Sequence, residues 1–376
     1  MSRIYLPNAS QFDLMNENLA KIANALGSDI DISTWAGIQK AVRVGVAPDL
    51  IPVGTQLLVS HSVYGDMLYD VVAHNYFKSA HDANAYTMTL MCHDVLPTIG
   101  FDSPEAFYYA SQTLPAGTYC FTLANSYKSW AAGTYQFSAT DGLPVGGLFA
   151  IGNLADSLLT STVVTRRESC TAPVSGAYPI TVGTGGTHLG TFGVELNTPE
   201  RVVYGSNNYK ESAIRQFLNS SAEAGGVWTP QTKFDFAPNW VTSKAGFLNG
   251  FDSELLAVIG EVVVPCSANN TYESPDSTVV KNTKYTVTDK FYLASQTEIF
   301  GTTSGIVVDD SVMFPYYEGA MNADRIKYKD GLATSWWLRS AHTQSSSVVR
   351  FVRTDGSLYN DESTGILGIV PVCTIV

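Results

Sequence analysis

Near the start of the chain apolar residues recur at alternating three- and four-residue steps, at Phe12, Met15, Leu19, Ile22 and Leu26, until Gly27 interrupts them. With Ser10-Gln11-Phe12-Asp13 ahead of it as a capping box, this spacing predicts an amphipathic helix. A second helix is predicted after Ser33, with Trp35, Ile38 and Val42 on one face and Gly45 behind it. From Val53 the period drops to two. Gln56-Leu57-Leu58-Val59-Ser60 and Met67 to His74, with Gly65 in the connection, predict a β-hairpin. Between about Asp102 and Asn197 short alternating runs (Leu114 to Leu123, Gly133 to Phe137, Pro179 to Val182) are separated by Gly, Pro and Ser, which predicts a small β-sandwich inserted into the surrounding domain.

The pattern beyond the insertion mixes both periods. Tyr204 to Asn219 predicts a helix capped at Ser206 to Asn208, with Ile214, Phe217 and Leu218 inward and Arg215 as an ion-pair partner. Phe251 to Val264 reads as a short helix entering a strand, Asp289 to Gly301 as a strand entering a turn, and Ser267 to Asn282 as an exposed polar loop. At the end, Ser335-Trp336-Trp337-Leu338-Arg339-Ser340 has the density of large groups typical of a core. Ile369 to Val376 is β-branched and predicts a buried terminal strand. Between these two lies His342 to Thr364, mostly small or polar, punctuated by Gly356. Two core segments thus clamp a run of loops.

That clamp carries a family resemblance. Arg325-Ile326-Lys327-Tyr328 leading to Trp336 to Ser340, then Val349-Arg350-Phe351-Val352, Gly356 and Gly368-Ile369-Val370-Pro371, resembles the C-terminal domain of variable proteins of diversity-generating retroelements. The resemblance implies an α+β chain with a C-type lectin fold of the formylglycine-generating-enzyme type. Residues 51–101 and 198–376 would form the lectin-like domain, 102–197 the inserted β-rich domain, and 1–50 an N-terminal helical segment that packs on its own domain or joins protomers, in a trimer for instance. It further implies a surface rewritten at adenines by an error-prone reverse transcriptase. Codons of the AAC or AAT kind altered at their adenines never yield Lys, Glu, Gln, Met or Trp, and His342 to Thr364 contains no Lys, Met or Trp. Gln344 and Glu362 break the rule, so on this reading they are fixed framework or came by ordinary mutation. The implied ligand-binding residues are His342, Thr343, Ser346, Ser347, Val349, Phe351, Arg353, Thr354, Ser357, Tyr359, Asn360, Asp361 and Thr364, an antibody-like mixture of aromatic, charged and small polar groups.

Composition narrows the partners. A net charge of −12 with no basic run argues against nucleic acid. No apolar run is long enough to span a bilayer, and the N-terminus lacks signal-peptide character; the setting that the resemblance implies is a phage tail or a displayed surface facing a protein or carbohydrate receptor on a target cell. Five scattered cysteines indicate neither a zinc site nor a disulfide framework, and no cofactor is expected. Cys92-His93 cannot act as nucleophile and base because neighbours on a strand point to opposite faces. Catalysis of the formylglycine-generating type needs paired cysteines near the C-terminal core, where Cys373 stands in an apolar strand, and Asp309-Asp310 is a poor carboxylate pair. The expectation is recognition without catalysis, with a non-diversified structural protein and, behind it, an enzyme of the formylglycine-generating type as the alternatives.

Overall fold

The computed structural model describes residues 30–103, 205–231, 237–270 and 281–376, together with strands between 108 and 194. The helix predicted over Phe12 to Leu26 lies outside the described residues. The next one is present as α1, Trp35–Arg43, capped by the Thr34 side chain accepting from Gly37 N at 3.1 Å, with Ile38 and Val42 buried.

The predicted hairpin forms as β1, Gln56–His61, and β2, Gly65–His74, in antiparallel register. Next come β3, Met88–Cys92, and β4, Leu96–Gly100. After the insertion the chain builds α2, Ala213–Leu218, α3, Ser253–Val258, and a long hairpin of β5, Val262–Asn270, with β6, Lys281–Asp289. Then follow β7, Phe291–Leu293, and α4, Gln296–Phe300. The last stretch holds β8, Trp336–Ala341, β9, Val348–Val352, β10, Leu358–Glu362, β11, Ile366–Ile369, and β12, Pro371–Ile375. The chain is therefore mixed α and β, mostly sheet with a few short helices.

Two five-stranded sheets organise it, in the orders β1-β2-β3-β12-β7 and β10-β9-β8-β11-β4. They are joined by one device. β3 pairs with β12 in the first sheet, and β4 pairs with β11 in the second, both antiparallel. The two chain segments 88–100 and 366–375 therefore run as a single double ladder that bends at residues 93–95 and Val370. Val370 is fully buried at the bend, as are Ile369, Val372 and Ile375, which explains the β-branched run: a strand covered on both sides needs apolar residues at every position.

The strands between 108 and 194 pair with one another, in sheets of five and three strands. Chain leaves the two-sheet body after β4 and re-enters it beside the exit point. Gly205 stands at φ +70°, and a Cβ there would lie 2.4 Å from the Ser103 carbonyl oxygen, so only glycine allows this approach. Asp102 bridges the same junction, accepting from Ser206 N at 2.8 Å and Ala213 N at 3.1 Å.

Three expectations need correction. The helix expected from about Ser206 begins only at Ala213, with Ser212 as its cap, because Asn207 and Asn208 are spent on tertiary hydrogen bonds with Ser345 and Tyr285 and Ser206 donates to Glu211. The turn expected after β7 is α4, closed by a capping box between Ser295 and Glu298. Ser267 to Asn270 is strand, with Ser267 buried and donating to Val307 O at 2.6 Å. Residues 271–280 of that expected loop lie outside the described residues. The predicted role of Arg215 holds: it pairs with buried Asp289 at 2.8 Å.

Candidate functional site

The floor under the candidate surface is β8. Trp336 and Trp337 are fully buried, and each indole finds a carbonyl: Trp336 Nε1 donates to Arg325 O at 3.3 Å and Trp337 Nε1 to Ile99 O at 3.0 Å. Arg339 is buried as well. Its five N–H groups meet five acceptors: Nε donates to Pro265 O, one terminal nitrogen to Leu293 O and Glu298 Oε2, and the other to Glu298 Oε1 and Ser311 Oγ. A fully paired guanidinium is the condition under which a charge survives burial. Burial works against its charge, yet the adjacent Glu298 carboxylate holds Arg339 well above its ordinary pKa.

The connection from β8 to β9, residues 342–347, is fixed through its backbone. Asn207, fully buried, donates from Nδ2 to Ser345 O at 2.7 Å and to Val348 O at 3.0 Å, while its own N–H reaches Ser346 O at 2.7 Å. Asn269 Nδ2 donates to Thr343 O at 2.7 Å. The frame thus grips main-chain carbonyls; within the connection Ser347 adds side-chain bonds to Ser345 and Glu362, and Thr343 and Gln344 are the side chains the bracing does not use. The opposite connection, from β9 to β10, closes with Gly356 N donating to Arg353 O at 2.9 Å. Gly356 has φ +76°, and a Cβ there would fall 1.7 Å from Asn322 O, so this turn also admits only glycine.

The thirteen predicted binding residues do not form one patch. Ser346, Ser347, Val349 and Phe351 are buried, which overturns their assignment. Ser347 donates to Glu362 Oε2 at 2.7 Å, tying the rule-breaking Glu362 into the frame, and Phe351 packs edge-on between Trp337 and Tyr359. Arg353, Thr354 and Tyr359 are exposed; His342, Thr343, Ser357, Asn360, Asp361 and Thr364 are half-buried. These nine divide by position. Arg353, Thr354, Ser357 and Tyr359 gather at the β9–β10 turn, with the Arg353 guanidinium 5.1 Å above the Tyr359 ring. His342, Thr343 and Thr364 lie toward the other end of the hairpin, five β9 residues or roughly 16 Å away. Alternation splits them again: the Phe351–Tyr359 and Val349–Asp361 pairs face one side of the sheet and the Arg350–Asn360 pair faces the other.

Sequence reading missed Arg350. It is half-buried, and its contacts are Asn360 Oδ1 at 3.4 Å and Ser304 O at 3.2 Å; Nε is buried with no hydrogen-bond partner. Burial lowers its pKa, and burial together with Arg350 lowers that of His342. Among the described residues no carboxylate pairs with the Arg350 guanidinium, an arrangement that would favour an anionic group beside it. The signal for Arg350 was its place opposite Asn360, which needs the register to be known.

Elsewhere, Cys92 and Cys373 lie in the adjacent strands β3 and β12, both buried, and burial pushes the Cys92 thiol up to about 12. Asp309 is buried near Arg339, whereas Asp310 is exposed and pairs with Lys284, so they share no site. Tyr317 is core and Tyr316 half-buried. Among the described residues no group of His, Cys, Asp and Glu is arranged to hold a metal ion, and no helix is long and apolar enough to cross a membrane.

The architecture is that of a mixed α/β, mostly β protein with a gripped hairpin at one end of a two-sheet body. Residues 188–376, half of the chain, match the family described as Domain of unknown function (DUF6273), and the chain belongs to that family. The matched span leaves out β3 and β4, although β11 and β12 take their partners from them. No curated protein and no solved structure matches the chain.

Proposed function

We propose that this chain is a ligand-binding protein of the retroelement-diversified kind, on a C-type lectin fold, presenting the β9–β10 hairpin and its two connections to a receptor. One observation carries the reading: the 342–347 connection is braced by frame side chains that bind its carbonyls. Outward side chains such as Thr343 can change while the backbone stays put, because the bonds to the carbonyls do not involve them, whereas buried Ser346 and Ser347 belong to the frame. The outward positions of the two connections would therefore tolerate diversity at little folding cost. The lectin-like fold is supported by β3 and β12, which bring the opening and closing parts of the domain into one sheet.

The receptor is a protein or carbohydrate on a target cell, met at the Arg353–Tyr359 end by stacking and charge-assisted bonds, and at the Arg350–His342 end by an anionic group. Display on a phage tail or a cell surface, in an oligomer such as a trimer, fits this role. Recognition rather than catalysis is the chemistry supported, since buried, protonated thiols at Cys92 and Cys373 are poor nucleophiles. Sequencing the surrounding locus tests the proposal. A reverse transcriptase gene beside a near-identical template copy of codons 342–364, differing at adenines, is expected. A locus without the template copy would overturn diversification and leave a fixed structural protein.

A further inference from the structure

Away from the hairpin, a cleft of about 740 Å³ opens between the start of β2, the chain leaving β3 and the short hairpin of Tyr328–Lys329 with Leu332–Ala333. This is a usual size for a small-ligand site, and no residue of His342 to Thr364 lines it. His93 stands in its wall, fixed from two sides. Its Nδ1 lies 2.8 Å from Oδ2 of Asp70, a carboxylate only 2 % exposed that also accepts from Gln56 Nε2 at 2.9 Å. Behind it, buried Lys327 donates from Nζ to the carbonyls of Cys92 and His93, each at 2.8 Å, so the main chain carrying the imidazole is held as well. Gln56 Nε2 also lies 3.2 Å from Nδ1; in the tautomer that places Nδ1–H on Asp70, Nε2 is the ring's acceptor.

The rest of the lining has the same bias. Asp66 and Asp94 accept only, and Lys329, the cation of the wall, is paired with neighbouring Asp330. Tyr64 and Tyr328 add ring faces, and Met67, Val95 and Leu96 add apolar surface. A concavity rich in acceptors and aromatic faces, on a protein of net charge −12, selects a ligand that brings donors and positive charge.

We propose that this cleft binds a primary ammonium group, received by the Asp94 and Asp66 carboxylates and the Asp70-oriented His93 imidazole. The ammonium can belong to a free polyamine or to a lysine side chain of a partner. The site is independent of the receptor-binding hairpin.

Isothermal titration of the full chain tests it, with spermidine, with a short oligo-lysine peptide and with sorbitol as a neutral polyol. Sub-millimolar binding of at least one amine is expected, with sorbitol silent. Spermidine alone binding points to a free polyamine, and the peptide binding more tightly points to a protein lysine. Asp66→Asn with Asp94→Asn, both at exposed positions, is expected to weaken the amine at least tenfold, and His93→Gln severalfold, whereas Tyr359→Ala leaves it unchanged. No binding of either amine at millimolar concentration, equal binding of sorbitol, or affinity unaltered in the double variant would overturn the proposal.

Discussion

Removing the Asn207 side chain is the sharpest perturbation of the bracing. Asn207→Ala deletes the donors to Ser345 O and Val348 O, although Val348 O keeps the His342 N–H at 3.0 Å. A hydrogen bond is worth about 1 kcal/mol net, and up to about 3 kcal/mol where its loss leaves a buried group poorly paired, so with two bonds deleted roughly 2–4 kcal/mol should be lost. For a body of this size that corresponds to a fall in melting temperature of roughly 5–15 °C. Urea unfolding followed by tryptophan fluorescence reads the global loss, and hydrogen exchange of residues 343–348 reads the local one. The account requires both, with exchange in the connection rising more than in β12. Stability within about 0.5 kcal/mol of the parent would refute it, as would a global loss with the connection no more open than the rest.

Other consequences follow from the same geometry. Glu298→Gln leaves the buried Arg339 charge without its hydrogen-bonded carboxylate, with Asp309 3.9 Å away, and should cost about 3–5 kcal/mol by chemical denaturation, whereas Glu298→Leu with Arg339→Met and Asp309→Asn should recover much of that. On the proposed function, Arg353→Ala with Tyr359→Ala should abolish binding to receptor-bearing cells while shifting stability by less than about 1 kcal/mol, since both side chains are exposed. Phe351→Ala, by contrast, should destabilise by about 3–4 kcal/mol, because its ring is packed between Trp337 and Tyr359. His61 receives Val63 N–H on Nδ1 at 3.0 Å and contacts Phe247 O through Nε2, and burial lowers its pKa below the ordinary 6.5. The unfolded chain therefore binds the proton more readily. Stability from this group is present above pH 6.5 and is lost as the pH falls below it, and His61→Gln should flatten that part of the stability–pH profile.

How much of this was legible in the sequence depends on how local each cause is. The helix over Trp35–Arg43, the hairpin before His74 and the β-branched terminus were readable, because spacing and branching act within a few residues. The capping box at Ser295 and Glu298 was also written in the chain, but the apolar Phe291 to Leu293 ahead of it drew the reading toward a strand and turn. Asn207 was read as a cap because Asn caps helices; its actual partners lie 138 and 141 residues away, and nothing in its neighbours announces them. The same limit governs the surface. Small polar residues looked exposed as a class, yet Ser346 and Ser347 are buried by the Asn207 and Glu362 contacts, and whether a β9 residue points out or in is fixed by a register the sequence does not state.

The division between frame and display is tested most directly by two libraries of the full chain. One randomises Arg353, Thr354, Ser357 and Tyr359; the other randomises Ser346, Ser347, Val349 and Phe351. Each is scored for the folded fraction by protease resistance on a display platform. The account predicts that most members of the first library stay folded and few of the second do. Equal tolerance in the two libraries, or collapse of the first, would contradict it.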